Sequence, residues 1–293
     1  MPPALRKPTV LALIVMAGAA AALSAVLSPP ALVGGGLLAR GYVADIDRAP
    51  IHEVADNLSG LTYSDATGTL FSVTNRPPQV VELTPDGQLV TLIPLDGYLD
   101  PEGITHVAGE VFLIADEGDQ SLHRVTINAG TRRLAAAPDT RVATGIGAWR
   151  NMGIEGISWD ARHGRLFLAQ EMLPMRALIL EGFDSAARLT SAAPQVSEWY
   201  PASLSSLETL DLSSLTLHEA TGHLLLLSHL SSAVVEYDQT DRLIGRMGLG
   251  GGQSGLAAGI GQAEGLAVGP DGSIFVVAEP NLFYRFRMGS PLP

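Results

Sequence analysis

The stretch Gln262–Phe286, QAEGLAVGPDGSIFVVAEPNLFYRF, constrains the fold more than any other part of the chain. It reads Glu-Gly, a short apolar strand, an Asp-Gly turn, a second apolar strand ending in Glu279, then Pro280-Asn281 and a third strand. An Asp-Gly pair between two β-rich runs is a strong hairpin signal. The pattern recurs upstream as LSGLTYSDATGTLFSVTN (58–75), PEGITHVAGEVFLIADE (101–117), IEGISWDARHGRLFLAQE (154–171) and LSSLTLHEATGHLLLLSH (212–229). The equivalent small residues Gly60, Gly103, Gly156, Ser214 and Gly265 are 43, 53, 58 and 51 residues apart. A repeat of about 40–55 residues holding a β-meander is the sequence form of a β-propeller.

Five repeats predict an all-β propeller of five blades, at about 58–97, 100–144, 153–200, 211–248 and 262–287. The long gap before Ser214 leaves room for part of a sixth blade in Phe183–Leu207. The last repeat has only three strands before the chain ends. The β-like residues of about 42–55 are therefore expected to supply its outer strand, closing the ring and leaving no long unpaired edge.

The first strand of each propeller blade lines the central channel, so equivalent positions face one another around an axis. Two sets follow from aligning the repeats. The first is Ser59, Glu102, Glu155, Ser213 and Glu264. The second ends the second strand: Asn75, Glu117, Glu171, His229 and Glu279. Asp100, Asp116 and Asp119 add nearby carboxylates. Converging glutamates repel, by about 4 kcal/mol for unit charges ~4 Å apart at an effective dielectric of ~20. Protonation or a bound cation relieves this. Calcium accepts six to eight oxygen ligands with loose geometry and suits Glu and Asn side chains. Zinc prefers nitrogen or sulfur in a tetrahedron, and magnesium prefers few carboxylates in a tight octahedron. Glu102, Glu155, Glu264, Glu117, Glu171, Glu279 and Asn75 are thus the candidate calcium ligands. Any one of these glutamates taken alone reads better as a turn carboxylate or an acceptor for backbone amides of the next blade; it is the set together that points to a cation.

Composition narrows the partners. The net charge is -12, with Lys7 the only lysine, and no basic cluster is available for phosphate. Nucleic acid is therefore not an expected partner. There is no cysteine, hence neither disulfide nor thiol chemistry. Arg6 and Lys7 precede the uncharged apolar run Thr9–Leu27, and Pro29-Pro30 end it. Such a run reads as a hydrophobic helix, either a membrane signal anchor or a signal peptide within residues 1–30. Positive-inside orientation then places the propeller outside the cytoplasm. Residues 31–41, with Gly34-Gly35-Gly36, read as a flexible linker to the propeller domain at 42–293. The glycine-rich Met247–Gln262 lacks a P-loop lysine and reads as a flexible inter-blade loop. No G-x-S-x-G occurs, so the serine-hydrolase elbow is absent. His52, His106, His123, His163, His218 and His223 read as surface residues. Arg76, Arg150, Arg176 and Arg285 either bind a small anionic ligand above the channel or pair with acidic neighbours, pairing being the commoner outcome.

LSGLTY, LDGYLDPEGI, ADE, GIEGISWD, LPMRA and QAEGLAVGPDGSIFVVAEPNLFYRF resemble the SdiA-regulated family, also called YjiK/CarP-like, over about 42–287. The resemblance implies a β-propeller held at the inner membrane and exposed outside the cytoplasm, with a link to calcium responses and a phytase-like architecture. It makes Glu102, Glu155 and Glu264 the family's Glu-Gly positions, and Glu117, Glu171 and Glu279 its strand-end acids. The fourth repeat departs from the pattern, with Ser213 and His229 where acids are expected, which removes an oxygen ligand. The third has Met172-Leu173 where a basic-acidic pair is usual, which weakens an anion site around Arg176. Three functions follow: a calcium-binding, membrane-tethered propeller that senses or scaffolds; a calcium-dependent hydrolase of phytase-like or lactonase-like kind; or a metal-free platform for a protein partner.

Overall fold

A computed structural model describes residues 35–144, 153–171, 175–199 and 209–289. The apolar run Thr9–Leu27 lies outside them. No helix among the described residues is long and apolar enough to cross a membrane.

The described strands build five sheets. The chain enters through β1 (Tyr42–Pro50). Blade one is β2 (Leu58–Ser64), β3 (Thr69–Asn75), β4 (Pro78–Leu83) and β5 (Leu89–Asp96). Blade two holds β6 (Pro101–Ala108), β7 (Val111–Asp116) and β8 (Ser121–Thr126). The chain then leaves blade two as β9 (Leu134–Ala135), which pairs in parallel with β5 of blade one, and returns as β10 (Arg141–Ala143) against β8. Blade three is β11 (Ile154–Asp160), β12 (Arg165–Gln170), β13 (Arg176–Glu181) and β14 (Gln195–Trp199). Blade four is β15 (Ser214–His218), β16 (His223–Ser228), β17 (Ala233–Tyr237) and β18 (Leu243–Gly248). Blade five is β19 (Ala263–Val268), β20 (Ile274–Ala278) and β21 (Leu282–Met288).

Antiparallel pairing of β1 with β21, from Tyr42↔Met288 to Pro50↔Leu282, completes blade five and closes the ring as expected. The room left for a sixth blade is taken up differently. Gln195–Trp199 pairs with β13 as the outer strand of blade three, and Phe183–Leu189 is an isolated bridge in the turn before it.

Five clusters of buried side chains lie one between each pair of neighbouring blades. A middle strand is therefore covered on both faces. This explains why Leu224–Leu227 and Ile274–Ala278 are unbroken apolar runs, all buried, rather than alternating ones. The inner strands β2, β6, β11, β15 and β19 touch edge to edge around the channel, and the recurring small residue marks where they meet. A Cβ on Gly265 would lie 2.8 Å from the Gly60 carbonyl carbon, and one on Gly156 would lie 2.8 Å from Leu215 N. In blades one to three a hydroxyl two residues further on stitches the blade to the next: Thr62 accepts from His106 N (3.1 Å), Thr105 from Trp159 N (3.1 Å) and Ser158 from Leu217 N (2.9 Å).

Two segments expected to be flexible are built into the ring. From Gly35 onward the supposed linker folds against blade four, with Leu37 and Leu38 in the core. The fully buried Glu236 carboxylate accepts Leu37 N and Leu38 N, both at 2.8 Å, and meets His223 Nδ1 at 2.7 Å. Backbone amides with no strand partner thereby gain a charged acceptor, which outweighs the freedom of the glycines. The glycine-rich Met247–Gln262 begins inside β18, buries Leu256 and Ile260 in the same core, and pairs Ser254 O with Ala44 N at 2.8 Å. Its apolar residues decide its order, not its glycines.

Candidate metal centre

Every inner strand starts at one mouth of the channel, and every second strand ends there. Residues preceding or opening the first strand and residues following the second therefore crowd together. Three registers meet: the ring positions Ser59, Glu102, Glu155, Ser213 and Glu264; the strand-end positions Asn75, Glu117, Glu171, His229 and Glu279; and a set two residues before the ring. The last set includes Asp100 and Asp211, which the sequence alignment did not treat as a register.

Ligand atoms of Asp100, Glu102 and Glu117 all lie within 4.8 Å of one another. That separation fits one calcium ion with oxygens 2.3–2.6 Å away. The backbone fixes the trio, since Glu117 N donates to Asp100 O at 2.8 Å. Asn75 joins from blade one, its Nδ2 donating to Glu102 Oε1 at 2.6 Å. Asn75 Oδ1 and Asp100 Oδ1 are buried without a hydrogen-bond partner. Unpartnered buried oxygens are costly and need an explanation. Among the described residues no lysine, arginine or histidine is within ion-pair distance of Asp100, Glu102 or Glu117. An all-oxygen set with two orphaned acceptors and no counter-charge fits a hard divalent cation.

The ring continues past this trio. Burial pushes Glu102 up to about 8, with Asp100 and Glu117 adding to the rise and the Asn75 amide opposing it. Glu264 is also pushed up to about 8, by burial first and then by Glu279, Glu171, Glu102 and Asp211. Glu155 stands well above the usual carboxylate range, through burial and then Glu102, Glu117, Glu171 and Glu264. Glu102, Glu155 and Glu264 are thus within electrostatic reach of one another. Glu117, Glu171 and Glu279 are raised too, burial again leading. Glu171 and Glu279 lie outside the tight trio. Glu279 is held by Gln262 Nε2 at 3.0 Å.

Blade four does not lack an acid. Asp211 is fully buried; its Oδ1 accepts from Ser228 Oγ and from Leu230 N at 3.1 Å. Its Oδ2 has no hydrogen-bond partner and lies 3.8 Å from His229 Nδ1. The acid missing at Ser213 and His229 is supplied two positions earlier, as Asp100 stands two before Glu102.

Asp116 and Asp119 are otherwise engaged. Asp116 accepts Leu99 N at 2.8 Å, Asp100 N at 2.9 Å and Gly118 N at 3.0 Å, so it shapes the loop that presents Asp100. Asp119 binds Arg141 Nε at 2.8 Å and the Ser121 hydroxyl. His123 beside them is buried, not on the surface, because its strand lies under Tyr98, ring centroids 4.6 Å apart. Arg285 pairs with Asp45 and Asp86, and Arg176 with Glu198, so these two arginines satisfy acids rather than await an anion. Arg150 and Met172-Leu173 lie outside the described residues. At the opposite mouth a cavity of about 490 Å³ is lined by Thr62, Thr105, Ser158, Thr216 and their neighbours, and none of the candidate ligands reaches it.

Residues 36–287 match the family model described as SdiA-regulated. Solved structures share the fold at low identity. A luciferin-regenerating enzyme matches at 13% identity over 86% of this chain and 96% of its own, with a TM-score of 0.53. The calcium-binding protein regucalcin from Agrobacterium tumefaciens matches at 16% identity over 83% and 94%, with a TM-score of 0.51. A gluconolactonase from Xanthomonas campestris matches at 14% identity over 80% and 87%, with a TM-score of 0.50.

Proposed function

The chain belongs to the SdiA-regulated family, and from that premise and the channel-mouth geometry we propose that it is a calcium-binding β-propeller, tethered to the inner membrane, that acts in calcium-linked sensing or scaffolding. The observation that carries the reading is the trio Asp100, Glu102 and Glu117 with two buried oxygens unpartnered beside it. Asp100, Glu102, Glu117 and Asn75 would hold the ion, with the raised carboxyls of Glu155 and Glu264 within electrostatic reach of Glu102. Calcium would supply charge compensation there. Regucalcin, a calcium-binding protein of the same fold class, supports the choice of ion. The tether is the uncharged run Thr9–Leu27 behind Arg6 and Lys7, which carries the propeller to the periplasm or cell exterior.

Calcium titration by calorimetry on the detergent-solubilised chain tests this. Heat of binding in the native chain, lost in Glu102→Gln, is the expected result. No binding at millimolar calcium would sink it.

A calcium-dependent hydrolase is the second reading, favoured by one observation: His229 lies beside the unpartnered Asp211 Oδ2 at the same mouth, where it can take a proton from water. Chelator-sensitive turnover of aryl phosphates or lactones, lost in His229→Gln with calcium binding intact, selects it. No turnover with calcium bound rejects it.

A further inference from the structure

Three leucines stand out from the mouth that holds the acids. Leu99, Leu210 and Leu230 are 63%, 51% and 53% exposed. Each is a chain neighbour of a mouth residue: Leu99 of Asp100, Leu210 of Asp211, Leu230 of His229. The other large exposed apolar side chains among the described residues, Val43, Val90, Val196 and Met288, lie on β1, β5, β14 and the end of β21, the outermost strands of their blades and the one that pairs with β1. The leucines are also held in place. Leu99 N donates to Asp116 Oδ2 at 2.8 Å, Leu230 N to Asp211 Oδ1 at 3.1 Å, and Leu210 N to Ser231 Oγ at 2.9 Å. The backbone is pinned inward while the apolar side chain is left in water.

We propose, resting on the calcium reading of the same mouth, that this end of the propeller docks on an anionic lipid surface through the bound ion, with Leu99, Leu210 and Leu230 entering the apolar layer. Charge selects the occupant. Without an ion the mouth offers carboxyl oxygens, which do not attract lipid phosphate. A calcium ion held by Asp100, Glu102, Glu117 and Asn75 through one oxygen each would have four of its six to eight ligands, and lipid phosphate oxygens would supply others. The leucines come from separate loops of blades two and four. A fluid acyl layer needs no matching shape to receive them. One weak apolar contact does not hold a protein on a membrane, but an electrostatic and an apolar contact acting together do. The uncharged Thr9–Leu27 would keep such a surface close at hand.

The absence of cysteine gives a clean probe. The full chain carrying Leu99→Cys, labelled with an environment-sensitive dye, is reconstituted in nanodiscs of phosphatidylcholine with phosphatidylglycerol, or of phosphatidylcholine alone. Calcium is expected to shift the emission to the blue in the mixed discs only, with reversal by chelator. The shift is expected to vanish when Leu210→Ser and Leu230→Ser are added, with the melting temperature unchanged because both side chains are exposed. A calcium-induced shift of equal size in phosphatidylcholine alone overturns the proposal, as does one that survives both serine changes. Calcium heat without any dye shift overturns lipid docking and leaves the calcium site standing. Neither heat nor shift removes both.

Discussion

Asn75 at the end of blade one donates its side-chain amide to Glu102 of blade two at 2.6 Å, leaving its own Oδ1 buried and unpartnered. The amide is oriented by this bond, so the free oxygen is set beside the carboxylate trio rather than in solvent. A cation there completes Asn75, and Asn75 in turn fixes the rotamer of Glu102. Cation affinity and the contact between blades one and two are therefore coupled.

Glu102→Gln removes a carboxylate that burial holds up at about 8. In chelator near neutral pH the variant is expected to melt no lower than the native chain, since a carboxyl held up at about 8 is already largely protonated and a neutral amide takes its place. With calcium at a hundred times the dissociation constant, the native chain gains about 2.7 kcal/mol and the variant gains almost none. Thermal melts with and without calcium measure both effects.

Glu102 and Glu264 both rise from 4.5 to about 8 on folding. A group whose pKa is raised by folding gives stability that is complete below its unfolded pKa and lost as pH climbs through its folded one. The metal-free chain is therefore expected to be most stable near pH 4.5 as far as these groups are concerned, and to lose stability toward pH 8 and just above. Calcium binds the ionised forms, so it is expected to flatten or reverse that slope. Urea midpoints across this range, with and without calcium, give the sign.

Glu236 clamps the segment ahead of β1 through Leu37 N and Leu38 N. Glu236→Ala strands two buried amides and His223, and is expected to cost about 3 kcal/mol in urea unfolding. A loss of a few tenths would show that the segment is held by Leu37 and Leu38 packing alone.

Gly265→Ala places a Cβ 2.4 Å from Val277 Cγ2 and 2.8 Å from the Gly60 carbonyl carbon, where neither blade can yield cheaply. The expected loss is about 1–3 kcal/mol. Gly261→Ala, with nothing within 4 Å of the added carbon, is the matching control and should be near neutral.

Blade boundaries and ring closure were legible because each repeat carries its own turn and strand signals. Thr67-Gly68, Asp86-Gly87 and Asp271-Gly272 mark turns, and the unpaired Tyr42–Pro50 had to find an edge. The hydroxyls Thr62, Thr105 and Ser158 were equally readable, two residues after each small residue, but their meaning needs a neighbouring blade. Asp211 was missed because the alignment compared ring positions only; the register two residues earlier, where Asp100 also stands, held the signal. The glycines of 35–36 and 247–262 were misleading. Glycine raises the freedom of an unfolded segment but does not prevent one anchored by Leu38, Leu256 or Ile260 from packing.

The sequence by itself determined how many sheets form and that acids recur in phase with them, since periodic turns and apolar runs are local properties. Only the tertiary structure decided which acids share a space. Asp100, Glu102 and Glu117 meet because the channel brings chain ends of one blade together, while Asp116, adjacent to Glu117, is turned away to cap backbone amides. Burial and distance belong to the closed ring, not to any single repeat, and these set both the raised carboxyls and the oxygen cluster that could hold a cation.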